Sequence, residues 1–191
     1  MNTYDIMPED EFQSRFPEIH DQVCNELGIG FVPEIFRAVV NANPALAQSS
    51  WSMVRVNLCA GDIPRITKEI LFSYVANQRK CDYCDIAHQA LAIHHGCDIP
   101  DIPDMFKDIN AIRNPPLRAV IQYTDAAINN DYIKQSLLED DLIGFGFSKE
   151  EILELIGMIS CAMYMVNIAS SIRVTPDRRF NDVVNQHAQM A

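Results

Sequence analysis

The chain has 191 residues, a length at which a folded domain buries about 70% of the surface its unfolded form exposes and needs no disulfide staples. Hydrophobic residues make up 48% and charged residues 21%, which excludes wholesale disorder. The 26 acids against 15 bases leave a net charge of −11, a balance that repels phosphate backbones and anionic lipid surfaces and argues against nucleic-acid and membrane partners.

The N-terminal stretch MNTYDIMPEDEF has no basic segment followed by an apolar run, so the expected location is cytoplasmic. Six cysteines in that setting read as reduced thiols, ligands or redox residues rather than as a disulfide framework. Helix signals recur from end to end and no strand-type alternation is bounded by turns, which predicts one all-α domain over residues 1–191.

Pro33 and Pro44 each suit the first turn of a helix. Gly61, Asp62 and Pro64 then break the pattern, and Thr67 is the expected N-cap of KEILFSYVANQR, with Glu69 in its first turn. A second helix is predicted from Cys81 to His95, closed by Gly96; His94 and His95 read as its C-terminal cap. The stretch CDIPDIPDMFKDINAIRNPP, with four prolines, reads as a connector holding one short helix. Helices follow in PLRAVIQYTDAAINN, in a short apolar segment ending in GFGF, in SKEEILELIGMISCAMYMVNIASSI and in TPDRRFNDVVNQHAQM.

Leu155 to Ile172 carries no charge, which touches the lower limit for a membrane span. Ser160, Asn167, Ser170 and Ser171 interrupt it and no second such segment exists, so a buried central helix is expected. KEIL at Lys68–Leu71 and EEIL at Glu150–Leu153 form a faint internal echo, in which Met163 and Val166 would take the places of Cys81 and Cys84. Trp51, Phe31, Phe36, Phe72 and Phe106 read as core or subunit contacts.

The informative constellation is Glu69, Cys81, Cys84 and His88; the other cysteines, Cys24, Cys59, Cys97 and Cys161, are isolated. On a helix at about 100° per residue Cys81, Cys84 and His88 share one face. A helix start favours thiolate through its unpaired N–H groups. His88 lies one turn from Cys84, about 5–6 Å between Cβ atoms, and two turns from Cys81, so it should act mainly on Cys84. Arg79 and Lys80 would lower a nearby thiol pKa while Asp82 and Asp85 would raise it, and these charges alone do not pick the nucleophile.

A CxxC pair with histidine four residues on and glutamate twelve before resembles the alkylhydroperoxidase D family of the carboxymuconolactone decarboxylase superfamily. The motif block covers residues 64–97, with looser likeness in GFVPEIFRAVVNANPAL and SKEEILELIGMI. The resemblance implies an all-α helical bundle, assembly into a homo-oligomer (trimer or hexamer), no cofactor, and reduction of hydrogen peroxide or an organic hydroperoxide. It further implies that Cys84 attacks the peroxide, Cys81 resolves the sulfenic acid, His88 and Glu69 relay protons, and an external dithiol (lipoyl or thioredoxin-type) restores the pair. Tyr83 departs from the pattern, standing where family members often carry a relay histidine; its hydroxyl can donate a hydrogen bond but is no base near neutral pH.

Two other readings compete. Cys81, Cys84 and His88 supply three usual zinc ligands, giving a non-catalytic helical oligomer that binds zinc or senses oxidants, although no second CxxC or HxxxH completes a two-loop site. A cofactor-free decarboxylase of the same superfamily is the third, and such members generally lack the CxxC.

Overall fold

Prolines set many of the helix starts. In the computed structural model, which describes residues 4–99 and 102–190, the first helices are α1 (Glu9–Arg15), α2 (Pro17–Leu27), α3 (Glu34–Ala42) and α4 (Pro44–Val54). Pro33 is the N-cap of α3, and Pro17 and Pro44 occupy the first turns of α2 and α4, where a missing N–H leaves no bond unmade. A π-helical turn, Arg55–Cys59, extends α4. The chain continues through α5 (Arg65–Gln78), α6 (Asp82–His94), the short α7 (Ile102–Met105), a 3₁₀ turn at Ile109–Ala111, α8 (Pro115–Ile128), α9 (Tyr132–Gly144), α10 (Lys149–Ile172) and α11 (Arg178–Met190). Among the described residues there is no strand. Met1–Thr3 of the N-terminal stretch, Pro100 and Asp101 of the connector, and Ala191 lie outside them.

The scaffold of the site is the α5–α6 hairpin. Every residue of α5 from Lys68 to Ala76 is buried, because α6, α8 and α10 cover it on several sides. Its C-terminus closes as a Schellman motif: Lys80 takes a left-handed φ of 56°, the Cys81 N–H donates to Ala76 O, and the Lys80 N–H donates to Asn77 O. Cys81 is therefore both the residue that ends α5 and the N-cap of α6. Gly96, at φ 92°, closes α6, as its sequence position predicts.

Helix α10 is the uncharged segment in its folded setting. Ser148 opens it with a capping box to Glu151, and Ile152, Leu155, Met158, Ile159, Ala162, Met165, Val166 and Ala169 recur at helical spacing as its buried stripe. It is long and apolar enough to cross a membrane, but half of its most apolar window is buried inside the protein, the arrangement of a core helix.

Two expectations change. Helix α5 begins at Arg65 with Pro64 as its N-cap, so Thr67 is inside the first turn and does not cap; the Lys68 N–H donates to Pro64 O instead. The echo between the two halves also fails beyond four residues: the first copy breaks at Lys80 into α5 and α6, while α10 runs unbroken through Met163 and Val166.

The turn before α5 is fastened to α10 by a buried ion pair. Lys68, 1% exposed, binds the Glu154 carboxylate and Ala60 O, and the same carboxylate accepts the N–H groups of Asp62 (2.9 Å) and Ile63 (3.2 Å). Gly61 has φ 99°, and a Cβ there would fall on the Glu154 carboxylate. Gly61→Ala should therefore cost about 1–3 kcal/mol in backbone strain alone, read as a lower urea midpoint with unchanged slope; wild-type stability would disprove the clamp.

Candidate functional site

Glu69 projects from α5 toward α6 and is 0% exposed. A bare carboxylate there would be very costly, so both oxygens must be partnered. His88 Nδ1 lies 2.5 Å from Glu69 Oε2, and Arg65 Nε donates to Oε1 at 2.6 Å. Burial pushes the Glu69 pKa up, but His88 and Arg65 outweigh it and hold the carboxyl below its ordinary value. The His88 ring stacks on Phe72 with centroids 3.5 Å apart and planes 14° from parallel. Anchored at Nδ1 and backed by a ring, the imidazole is fixed in orientation.

Cys84 and His88 line one small cavity of about 40 Å³, bounded also by Phe36, Tyr83, Met165 and Phe180. Apart from Cys84, His88 and Tyr83 the lining residues are apolar. Phe72 and Phe36 are core residues as expected, and they also wall the cavity.

All six cysteines are free thiols, and Cys81 and Cys84 do not sit at disulfide distance. They are nonetheless coupled. The Cys84 thiol, chiefly, with the Ser170 hydroxyl and the Cys84 backbone, lowers the Cys81 pKa to about 6 against burial and Asp82. The Cys84 pKa is raised well above normal by the proton it shares with Cys81 and by burial, with smaller contributions from Cys81 charge, Asp85 and Cys161. The two shifts run in opposite directions, Cys81 toward thiolate and Cys84 toward thiol.

Of the basic residues expected to act on the thiols, Arg79 instead donates to Ile128 O at 2.6 Å and so caps α8. Asp85 is held by Ser73, Asn77 and Gln89, bracing α6 against α5. Tyr83 lies outside any thiol relay: its hydroxyl donates to Asp177 Oδ2 and accepts the Ile35 N–H, both at 3.1 Å. His95 is the C-cap of α6 as expected. Among the described residues no three His, Cys, Asp or Glu side chains gather as a metal site, and the Nδ1 of His88 is already taken by Glu69.

The site therefore joins Glu69 to His88 and Cys81 to Cys84, and it sets Cys84 and His88 on a common cavity. Sequence reasoning missed Arg65, Ser170 and Phe180. Arg65 carries a readable signal, four residues before Glu69 on one helix; Ser170 and Phe180 are brought in only by tertiary packing.

No family model matches the chain, and no curated protein matches it. Solved structures do. An alkylhydroperoxidase AhpD core, an uncharacterized peroxidase-related protein from Ralstonia eutropha JMP134, is 17% identical over 94% of each chain with a TM-score of 0.76. A peroxidase-related protein from Silicibacter sp. TM1040 is 19% identical over 93% of this chain and 90% of that one, at TM-score 0.74. A cysteine-to-alanine variant of the debrominase Bmp8, in complex with 2,3,4-tribromopyrrole, is 13% identical over 95% of each chain, at TM-score 0.73. At these identities the likeness is one of fold, and peroxidase-related proteins and a debrominase share it. The chain has the all-α alkylhydroperoxidase D-like fold.

Proposed function

We propose that the chain reduces hydroperoxides through a dithiol–disulfide cycle at Cys84 and Cys81. The observation that carries this reading is the shared cavity, which Cys84 lines together with an imidazole held by a buried carboxylate. The Cys81 thiolate takes the proton from Cys84, so that the charge moves to the sulfur facing the cavity. Cys84 thiolate attacks the distal peroxide oxygen; an S–O bond forms, the O–O bond breaks, and the departing alkoxide or hydroxide takes a proton from His88. Cys81 then attacks the sulfenic sulfur, forming the disulfide and releasing water. An external dithiol returns two electrons and two protons. His88 is reprotonated from solvent while its Nδ1 stays on the Glu69 carboxylate.

Cavity size supports the smaller oxidants. A water needs about 10–15 Å³ in this measure, so about 40 Å³ admits hydrogen peroxide, while a ligand the size of the debrominase's tribromopyrrole requires the walls to part.

One equivalent of hydrogen peroxide added to the reduced protein should remove two thiols and two hydrogens, with a single Cys81–Cys84 cross-link in the peptide map. Two unreacted thiols at these positions after peroxide treatment would overturn the reading, as would stoichiometric zinc in tag-free protein.

A further inference from the structure

We propose that Phe180, carried on the C-terminal helix α11, sets the size of the molecule that reaches Cys84; this rests on reading the cavity as the oxidant site. Phe180 is 3% exposed and is the contribution of α11 to the cavity wall, whereas the other walls come from elements earlier in the chain. Most of those walls, Phe36, Phe72, Cys84 and Met165 among them, are built into the main core. Phe180 is not: with Ala87 and Leu91, which also line the cavity, and Ala90 of α6 it forms a separate cluster, joined at its edge by Phe31, Val183 and Val184. Alanines offer a shallow surface, and an element resting on a small satellite cluster opens at lower free energy than one set in the core.

The start of α11 is held by polar pins that lead back to the CxxC segment. Asp177, 1% exposed, accepts the Tyr83 hydroxyl at 3.1 Å and the Glu34 N–H at 3.0 Å on one oxygen. Its other oxygen is buried without a hydrogen bond and forms a longer ion pair with Arg179 Nη2 at 3.7 Å. Arg179 also binds Glu9 at 2.9 Å and lies 3.6 Å over the Phe31 ring, which itself tilts against Phe180 at 5.3 Å. The pins fix where α11 begins, and Phe180, one turn on, is thereby aimed at the cavity. The residue between the two cysteines thus serves to place the phenyl ring that closes their cavity. The ring, rather than the main core, decides whether a bulky substituent on the oxidant is accepted.

The test compares wild type, Phe180→Ala and the milder Phe180→Leu. The first readout is the ratio of kcat/KM for cumene hydroperoxide to that for hydrogen peroxide. It should rise about 10-fold in the alanine variant and less in the leucine variant, a split that general loosening would not grade by side-chain size. The second readout needs no turnover: labelling of Cys84 by N-phenylmaleimide relative to iodoacetamide, mapped by peptide mass spectrometry, should rise in the same order. If no form of the protein reduces any hydroperoxide while the labelling ratio still rises, the peroxidase reading fails and the gate stands. If both ratios stay at wild-type values, the gate is overturned and peroxide reduction is untouched. Loss of the folded state in both variants, seen by circular dichroism, also overturns it, since α11 would then be part of the main core.

Discussion

Cys84→Ser is expected to reduce hydrogen peroxide consumption about 10³-fold or more, to the background of free thiols in solution. A serine hydroxyl still donates to the Cys81 sulfur and keeps the packing, so the fold and the Cys81 thiolate should persist. The variant therefore separates two roles that the geometry assigns to different sulfurs. Cys81 is the more acidic thiol, with a pKa near 6, yet the cavity is lined by Cys84. If acidity alone chose the nucleophile, Cys84→Ser would still consume one equivalent of peroxide at Cys81. Placement on the cavity decides otherwise, because Cys84 is among its lining residues. Cys81→Ser is the complement: it should consume one equivalent of peroxide to give sulfenic acid on Cys84 and, with nothing to resolve it, a second equivalent to give sulfinic acid, without turnover. Whole-protein mass after titration with peroxide reads both variants. Full turnover by Cys84→Ser would remove it as the attacking sulfur.

The four residues of the motif were legible because their relations are local. Glu69 and His88 sit on two helices joined by three residues, and helical periodicity places each on the facing side of the hairpin. The dual role of Cys81, ending one helix and starting the next, follows from a break at Arg79–Lys80 that the sequence marks with no glycine or proline; a lysine takes the left-handed position. The Thr67 cap was misplaced because the Pro64 ring can begin a helix without any side-chain oxygen. What periodicity does not carry is contact between distant segments. Tyr83 and Asp177 are 94 residues apart, as the separation of their bonded oxygens in sequence records, and no local pattern announces that a tyrosine between two cysteines will be spent on positioning a C-terminal helix. Ser170 likewise reaches Cys81 only because α10 crosses the start of α6. The local half of the site thus holds the motif residues and the chief cause of the Cys81 acidity, and the non-local half holds the cavity wall that Phe180 and Met165 supply.

Glu69→Gln should lower kcat for hydrogen peroxide about 10²-fold with little change in KM, since it removes proton relay rather than binding. Glu69→Ala should in addition destabilise the fold by about 3 kcal/mol or more, because it leaves the Arg65 guanidinium and the His88 ring without the anion that compensates their burial. The pH dependence identifies the charge. Burial alone would raise the Glu69 pKa, but His88 and Arg65 hold it below its ordinary value, which is about 4.3 in an unfolded chain. A carboxyl depressed on folding contributes stability that is complete above the unfolded pKa and is lost as the pH falls through the folded one. The stability gap between wild type and Glu69→Gln should therefore be widest near neutrality and begin to close as the pH drops below about 4.3, measured by urea unfolding across that range. A gap that instead widens as the pH falls from neutrality toward about 4.3 would mean that Glu69 is buried as the neutral acid. The His88 Nδ1 would then face a neutral carboxyl group in place of an anion, and Arg65 would be buried without a counter-charge.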